Sequence, residues 1–383
     1  MTRHVLLLNS DKPEVLRALA ARPDLRIRVI TREAYAGLYA DHETAFVDSF
    51  EDLTQVERAA HRLARGGPFD HVVAATEKSV VAAGLIRSLL DVPGQTFDQS
   101  LWAAHKRAMK QRLRSFDLPV TDFAQVATVD DVPRAAEAVG WPVMVKPVFG
   151  AASRSTHRVD SAADFAALHR AGAFAGLARR GQPVQVERLV RHRGEYHCDG
   201  VVRGGRVALA AVSRYFTPPF RTPSELNSSW LVDQDAPAAR EMLALHERVA
   251  RALELRDGVT HLEIFATDEG PVIGEVAVRP GGLGISRTWW HAFGVDLWEE
   301  FVRAALDEPS DPRARPQDRT LGRIHLPGRE DVRERAAALP GVIEALPPAA
   351  TGTPNVEVHF AAPDPAAVER LHARLCALAE APA

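Results

Sequence analysis

Lysine is scarce in this sequence. Of 47 basic residues, only Lys12, Lys78, Lys106, Lys110 and Lys146 are lysines; the rest are arginine. A lysine here is therefore a weak pointer to a need for a compact ammonium rather than a planar fork. Cysteine is scarcer still. Cys198 and Cys376 stand far apart and match no disulfide or metal pattern. There is no basic surplus either. The formal net charge is -3, which gives no argument for nucleic acid or an anionic membrane. No apolar run approaches the ~18 residues of a transmembrane helix. The first apolar run, Val5–Leu8, ends at once in Asn9-Ser10-Asp11, unlike a signal peptide. The plain expectation is a cytoplasmic protein with reduced thiols.

What is present is ordinary globular composition, 46% hydrophobic and 25% charged over 383 residues, enough for two or three domains. HVLLL (4–8), a helix over 13–21, RIRVIT (26–31), HVVAAT (71–76) and a helix over 77–90 give a βαβ rhythm. They predict a small doubly wound α/β domain at 1–98. It has no G-x-G-x-x-G after its first strand, so a dinucleotide site there is unsupported. A helix is predicted over 99–116, then strand VMVKP (143–147) and a small-residue loop, FGAASRST. Further strands are read at 185–190 and 195–202, with Gly204-Gly205 turning a hairpin. A helix over 237–254 precedes strands at 260–266 and 272–278. Helices follow near 285–293 and 296–306. The Pro- and Arg-rich stretch 310–319 reads as a linker to a closing α/β lobe.

The stretch GEVAVRPGG (274–282) puts Glu275 and Arg279 four apart in an apolar run. Pairing symmetric about the turn TDEGP sets Ala266 against Val272, Ile264 against Gly274 and Glu263 against Glu275. Opposed side chains lie ~4.5–5.5 Å apart at Cβ, and like charges so placed destabilise the sheet. A hard divalent cation would neutralise them; Mg²⁺ uses one or two carboxylates plus substrate phosphates. Arg279, on the same face in a continuing strand, would clamp an anion beyond the metal. The alternative is a slipped register in which Glu263 salt-bridges Arg279 at an edge.

Lys146 ends an apolar strand beside the small-residue loop. It either meets an anion there or snorkels to water. Lys106, in HKRAMKQR, reads by itself as part of a solvated helix face. Glu187 and Glu195 lie on strands, where each is either an ordinary exposed residue or a partner for a nucleotide's ribose hydroxyls. His192, His197 and His261 lack the spacing of a zinc site. Ser153, Ser155 and Ser213 lie in no nucleophile elbow.

In order, the pieces are a helix lysine (Lys106), a strand lysine (Lys146), Glu187 to Glu195, Glu263, and the GEVAVRPGG strand. This set resembles the ATP-grasp superfamily, and within it the carboxylate–amine ligases that include L-amino acid (dipeptide) ligases. The resemblance covers 1–306 in architecture, with motifs in 100–290. It implies an ATP-grasp fold: an N-terminal α/β domain (1–98), a small lobe (99–186), a large lobe with the metal and phosphate site (187–309), and a C-terminal α/β lobe (310–383). By resemblance Lys106 and Lys146 would hold ATP phosphates, and Ser153 would belong to the ATP-binding set. Glu187 and the backbone at Leu189 would face adenine, and Glu195 the ribose. Glu263 and Glu275 would ligate Mg²⁺ or Mn²⁺, and Arg279 would act with Lys146 on the transferred phosphoryl group. Ala277 stands where the family often has an Asn metal ligand.

The activity so implied is ADP-forming ligation of a small-molecule carboxylate to an amine, through an acylphosphate. Two alternatives are activation of bicarbonate or formate, as in purine-pathway enzymes, and a non-catalytic ATP-binding regulator. Relatives are often homodimers. The stretch 213–230 is either a loop over the substrate or a plain excursion, with Tyr215 and Arg221 as guesses for substrate contacts. GGLGISR (281–287) could offer backbone N–H groups to a carboxylate at the following helix N-terminus.

Overall fold

The computed structural model describes residues 2–9, 11–150, 155–220, 226–315, 318–328, 330–348 and 355–380. Three sheets carry the chain. The first is parallel, in the order β3-β2-β1-β4, from β1 (Arg3–Leu8), β2 (Leu25–Thr31), β3 (Glu43–Phe46) and β4 (His71–Ala74). Helices α1 (Pro13–Ala20), α2 (Leu53–Ala64) and α3 (Glu77–Leu89) complete it. β1 is apolar without alternation because both faces are covered. Val5 and Leu7 pack in the core that holds Val15 and Leu19, while Leu6 and Leu8 pack with Val56, Ala60 and Val80. β3 and α2 lie in a stretch that the hydrophobic pattern left unassigned.

The helix expected over 99–116 is two helices, α4 (Phe97–Ala104) and α5 (Lys106–Arg114). His105 breaks it. Its backbone is extended (φ -93°, ψ 109°), and its ring accepts from the Ala108 N–H to cap α5.

The second sheet is antiparallel, in the order β5-β8-β6-β7. Its elements are β5 (Phe123–Val126), α6 (Val132–Val139), β6 (Val143–Pro147), β7 (His157–Val159), α7 (Ala162–Arg170), α8 (Ala175–Ala178) and β8 (Val184–Arg188). The third has eight antiparallel strands. Its elements begin with β9 (Gly194–Arg203), β10 (Arg206–Tyr215), β11 (Ser228–Leu231), α9 (Pro237–Ala252), β12 (Gly258–Thr267), β13 (Gly270–Ala277), α10 (Ile285–Phe293) and α11 (Leu297–Ala305). They continue through β14 (Thr320–Pro327), α12 (Glu330–Ala337), β15 (Val342–Leu346), β16 (Asn355–Ala362) and α13 (Pro365–Glu380). The order is β13-β12-β9-β10-β11-β14-β16-β15, so the strands after residue 319 extend the same sheet. Gly204 and Gly205 turn the β9–β10 hairpin with φ of 56° and 77°. Residues 213–215 end β10 and 228–231 form β11, so the ends of the supposed 213–230 loop are strand; Arg221 lies outside the described residues.

One face of this sheet is apolar. Leu262, Val212 and Val276 pack there on Met242, Leu245 and Val249 of α9, and Ile324, Val358 and Phe360 pack on Val368, Leu371 and Leu375 of α13. The other face carries a polar stripe. Glu275 opposes Glu263, Glu263 opposes His197, and His197 opposes Ser213. Two residues on, Tyr215 opposes Ser229, Ser229 opposes Arg323, and Arg323 opposes His359. Among the described residues no helix is long and apolar enough to cross a membrane.

Candidate active site

The β12–β13 hairpin brings Glu263 opposite Glu275, as the symmetric pairing expects. Nearer the turn the register differs. Ile264 faces Ile273, Phe265 faces Val272 and Ala266 faces Pro271, which leaves Gly274 as a bulge residue. The bulge has a local cause and a consequence. A Cβ at 274 would lie 3.0 Å from the Phe265 ring, so the position suits glycine. The Gly274 carbonyl accepts from Lys110 Nζ at 3.0 Å.

Three of the five lysines converge here. Lys106 Nζ donates to Glu275 Oε1 at 2.7 Å and to the Gly150 carbonyl at 2.8 Å. Its side chain is only 5% exposed, which overturns the solvated-face reading. The break at His105 makes Lys106 the first residue of α5. Lys146 Nζ lies 3.0 Å and Lys110 Nζ 3.6 Å from Glu187 Oε2. Burial works against each of these charges. Against it, Lys110 and Lys146 hold the Glu187 carboxyl below its ordinary range, and Glu187 with Glu275 raises Lys146. Burial dominates at Lys110 and lowers it to about 8, against the pull of Glu187.

Glu187 is therefore a buried ion-pair partner of two lysines. The Leu189 N–H donates to the Pro142 carbonyl at 2.9 Å, which commits that donor. Glu195 opposes Phe265 and is buried; burial and the nearby Glu263 charge raise its carboxyl to about 8. Ser153 lies outside the described residues.

β13 ends at Ala277, so Arg279 follows the strand rather than continuing it. Its guanidinium pairs with Glu77, at the start of α3, and donates to the Pro280 carbonyl at 2.6 Å. That contact ties the first sheet to the hairpin. Ala277 lies opposite His261.

His197 and His261, too far apart in sequence to read as a set, meet at Asp199. His197 Nδ1 lies 2.6 Å from Asp199 Oδ2, and His261 Nδ1 2.8 Å from Asp199 Oδ1. His261 Nε2 sits 3.7 Å from Glu263 Oε1. Burial disfavours the charged ring, but Asp199 and Glu263 overcome it and raise His261 to about 9. The two imidazoles likewise hold Asp199 ionised against burial. A Cβ on Gly281 would meet Ile285 Cδ1 at 2.6 Å, His261 Nδ1 at 2.9 Å and Asp199 Oδ1 at 3.1 Å, which explains the first glycine of Pro-Gly-Gly. His192 is elsewhere, against the Phe265 ring.

Glu263 and Glu275 keep 32% and 26% of their side chains exposed, although their surroundings are largely buried. Two facing, accessible carboxylates are hard oxygen donors that fit a divalent cation. Lys106 and His261 stand beside them as protein counter-charges.

Two antiparallel sheets thus meet at a cluster of lysines and carboxylates, where Lys106 holds Glu275 and Lys110 the Gly274 carbonyl, an arrangement suited to neutralising and positioning anionic groups. The comparisons give the family. Residues 111–286 match the ATP-grasp domain model. The chain is 34% identical over 333 residues to an L-arginine-specific L-amino acid ligase of Bacillus subtilis, covering 85% of this chain and 80% of that protein. It is 30% identical over 243 residues to a D-alanine--D-alanine ligase of Mycobacterium bovis, covering 56% and 61%. Among solved structures, an L-amino acid ligase from Bacillus licheniformis superposes with a TM-score of 0.75 at 18% identity, over 98% of this chain and 97% of that one. A carboxyaminoimidazole ribonucleotide synthase from Aspergillus clavatus gives 0.77 at 16% identity, over 99% and 98%, a likeness of fold alone. This chain belongs to the ATP-grasp superfamily, among its carboxylate–amine ligases. It is an enzyme that uses ATP to form carbon–nitrogen bonds between small molecules.

Proposed function

We propose that the protein joins amino acids, or a small amino-acid-derived carboxylate and an amine, in an ADP-forming reaction. The observation that carries this is the Glu263–Glu275 pair, with Lys106 bound to Glu275 and Lys146 near enough for both carboxylates to favour its charge. The 34% identity to an amino acid ligase favours amino acids over bicarbonate or formate.

In this reading a carboxylate oxygen attacks the γ-phosphorus of ATP and the bond to the β-phosphate oxygen breaks. ADP leaves and an acylphosphate forms. The amine then attacks the acyl carbon, phosphate leaves, and the nitrogen gives up a proton. Glu263 and Glu275 would hold Mg²⁺ or Mn²⁺; when bound, that ion supplies positive charge to the phosphate oxygens. Lys146 and Lys106 would turn from their carboxylate partners to the phosphates, with Ser153 as part of the ATP-binding set. Arg279 would steady the transferred phosphoryl group and the acyl oxyanion. Its tie to Glu77 would make that placement depend on the first sheet. Glu187 would set the position of Lys146, with adenine near Leu189 and ribose near Glu195. The lobes 1–98, 99–186, 187–309 and 310–383 are part of the same proposal, as are a cytoplasmic location and a homodimer, which light scattering would test.

The test is phosphate release from ATP and Mg²⁺ against amino acids, singly and in pairs, with Glu275→Ala as control. Release that needs a pair and vanishes in the variant is the expected result. ATP binding with no release under any pair would favour the non-catalytic regulator.

A further inference from the structure

Arg323 is a buried cation with no ion-pair partner among the described residues. Its side chain is 1% exposed, on the central part of β14, and its Nε and Nη1 make no hydrogen bond. Burial pushes its pKa down against the pull of Tyr215, Glu357 and Asp199. These acids do not serve as its partners. Asp199 is held between His197 and His261. Glu357 lies 2.8 Å from His359 Nε2 and 3.4 Å from His325 Nε2. The cations nearer the carboxylates are all engaged: Lys106 by Glu275, Lys110 and Lys146 by Glu187, and Arg279 by Glu77. An ionised group taken out of water normally finds a counter-charge. Arg323 therefore reads as a group whose partner arrives with a ligand.

Its position says which ligand. The register puts Arg323 on the same face of the sheet as Glu263 and Glu275, through Ser229 and Tyr215, then Ser213 and His197. The hydrogen bond between His197 Nε2 and Ser229 Oγ, at 3.0 Å, links the two ends. β12 and β14 are four strand spacings apart, roughly 19 Å at ~4.8 Å each. A guanidinium with unpaired donors at Nε and Nη1 suits an anionic oxygen acceptor such as a carboxylate, through charge-assisted N–H bonds.

We infer that Arg323 receives the carboxylate of the amine substrate, with the Ser229 and Tyr215 side chains beside it, so that the enzyme selects acceptors bearing a free acid. This rests on the ligase reading for the word substrate, but the binding it describes can be measured without turnover.

The experiment compares wild type with Arg323→Met and Arg323→Lys. Without ligand, Arg323→Met melts no lower than wild type, because it removes an unpaired buried charge. A fall of more than about 5 °C would make the guanidinium structural and overturn the inference. Calorimetry with Mg²⁺ and a non-hydrolysable ATP analogue then titrates each standard L-amino acid and its C-terminal amide. Wild type binds the acceptor acid roughly 30–5,000-fold more tightly than its amide, the range for truncating one partner of a buried charge pair. Arg323→Met binds both alike, and Arg323→Lys keeps part of the difference. A wild type blind to the difference, or a Met variant that retains it, would sink the inference. In ligation assays the acceptor KM rises in Arg323→Met with kcat little changed; a rise in the donor KM instead would count against it. The two failures separate. Acid-over-amide binding lost in the variant, with no phosphate release from any pair, removes the ligase reading and keeps Arg323. Ligation that accepts amides as readily as acids does the reverse.

Discussion

The two faces of the eight-stranded sheet are made by the same strands and have opposite characters. On one, Leu262, Cys198 and Val276 sit side by side under α9, each almost fully buried. On the other, the neighbours along the same strands are Glu263, His197 and Glu275. Alternation along a strand separates the two by a single residue. One face can therefore be filled for stability while the other carries charges that a stable core would exclude. Those charges are tolerated because nearly every one is paired across the stripe.

If the faces divide labour, changes on the charged face should affect turnover first. Glu275→Gln is expected to lower the rate of ligation on the order of 10²–10³-fold with the fold intact by circular dichroism. Unfolding of the variant would show that the pair with Lys106 is structural. Arg279→Ala should lower turnover by a similar factor while ATP affinity, read by calorimetry, changes little; equal loss of both would count against its role at the phosphoryl group. On the apolar face, Leu262→Ala should cost about 2–5 kcal/mol of stability in chemical denaturation, with kcat per folded molecule preserved.

A weaker effect is expected at the far end of the charged face. Glu344 on β15 meets Arg287 at 2.7 Å and His291 at 2.9 Å, and these hydrogen bonds, Arg287 first and against some burial, hold its carboxyl down at about 2. Its folded pKa lies below the unfolded value, so its stabilisation is present above about pH 4.5 and fades as pH falls towards 2. The loss should be on the order of 1–2 kcal/mol, and Glu344→Gln should flatten that part of the pH–stability curve. Turnover at neutral pH should stay within about twofold, since a surface-side pair of this kind is worth little more. Smallest of all, Arg193→Ala breaks a pair with Asp268 whose members are 71% and 79% exposed. A change above about 1 kcal/mol there would mean that exposure does not govern the value of these pairs.

The hairpin was legible because its evidence is local. Two strands, a short turn and two glutamates at matching distances fix the pairing near Glu263 and Glu275, even though the bulge at Gly274 shifts the rest. Lys146 was legible as a lysine at the end of an apolar strand. Lys110 was passed over, because its role depends on a Glu187 that lies 77 residues on in the chain. Lys106 was recovered only through the order of the motifs; its helix hides the break at His105 that turns it inward. Asp199 sits in an unremarkable strand and gains meaning from two histidines contributed by two strands. Arg323 is one arginine among many, in a segment read as a separate lobe. The contacts that define it come from sheet order, which composition and periodicity do not encode.

That sheet order has a practical consequence for anyone trimming the chain. Residues 111–286 match the ATP-grasp model, so a shortened version ending near residue 310 would keep every matched position. It would also strip β14 from β11. β11 would become an edge strand, with Trp230 deprived of the cluster formed by Ile324, Val358 and Phe360. An open apolar edge of that kind invites pairing with other chains. The shortened protein should therefore accumulate in inclusion bodies, and its insolubility would say nothing about whether the ATP site had formed.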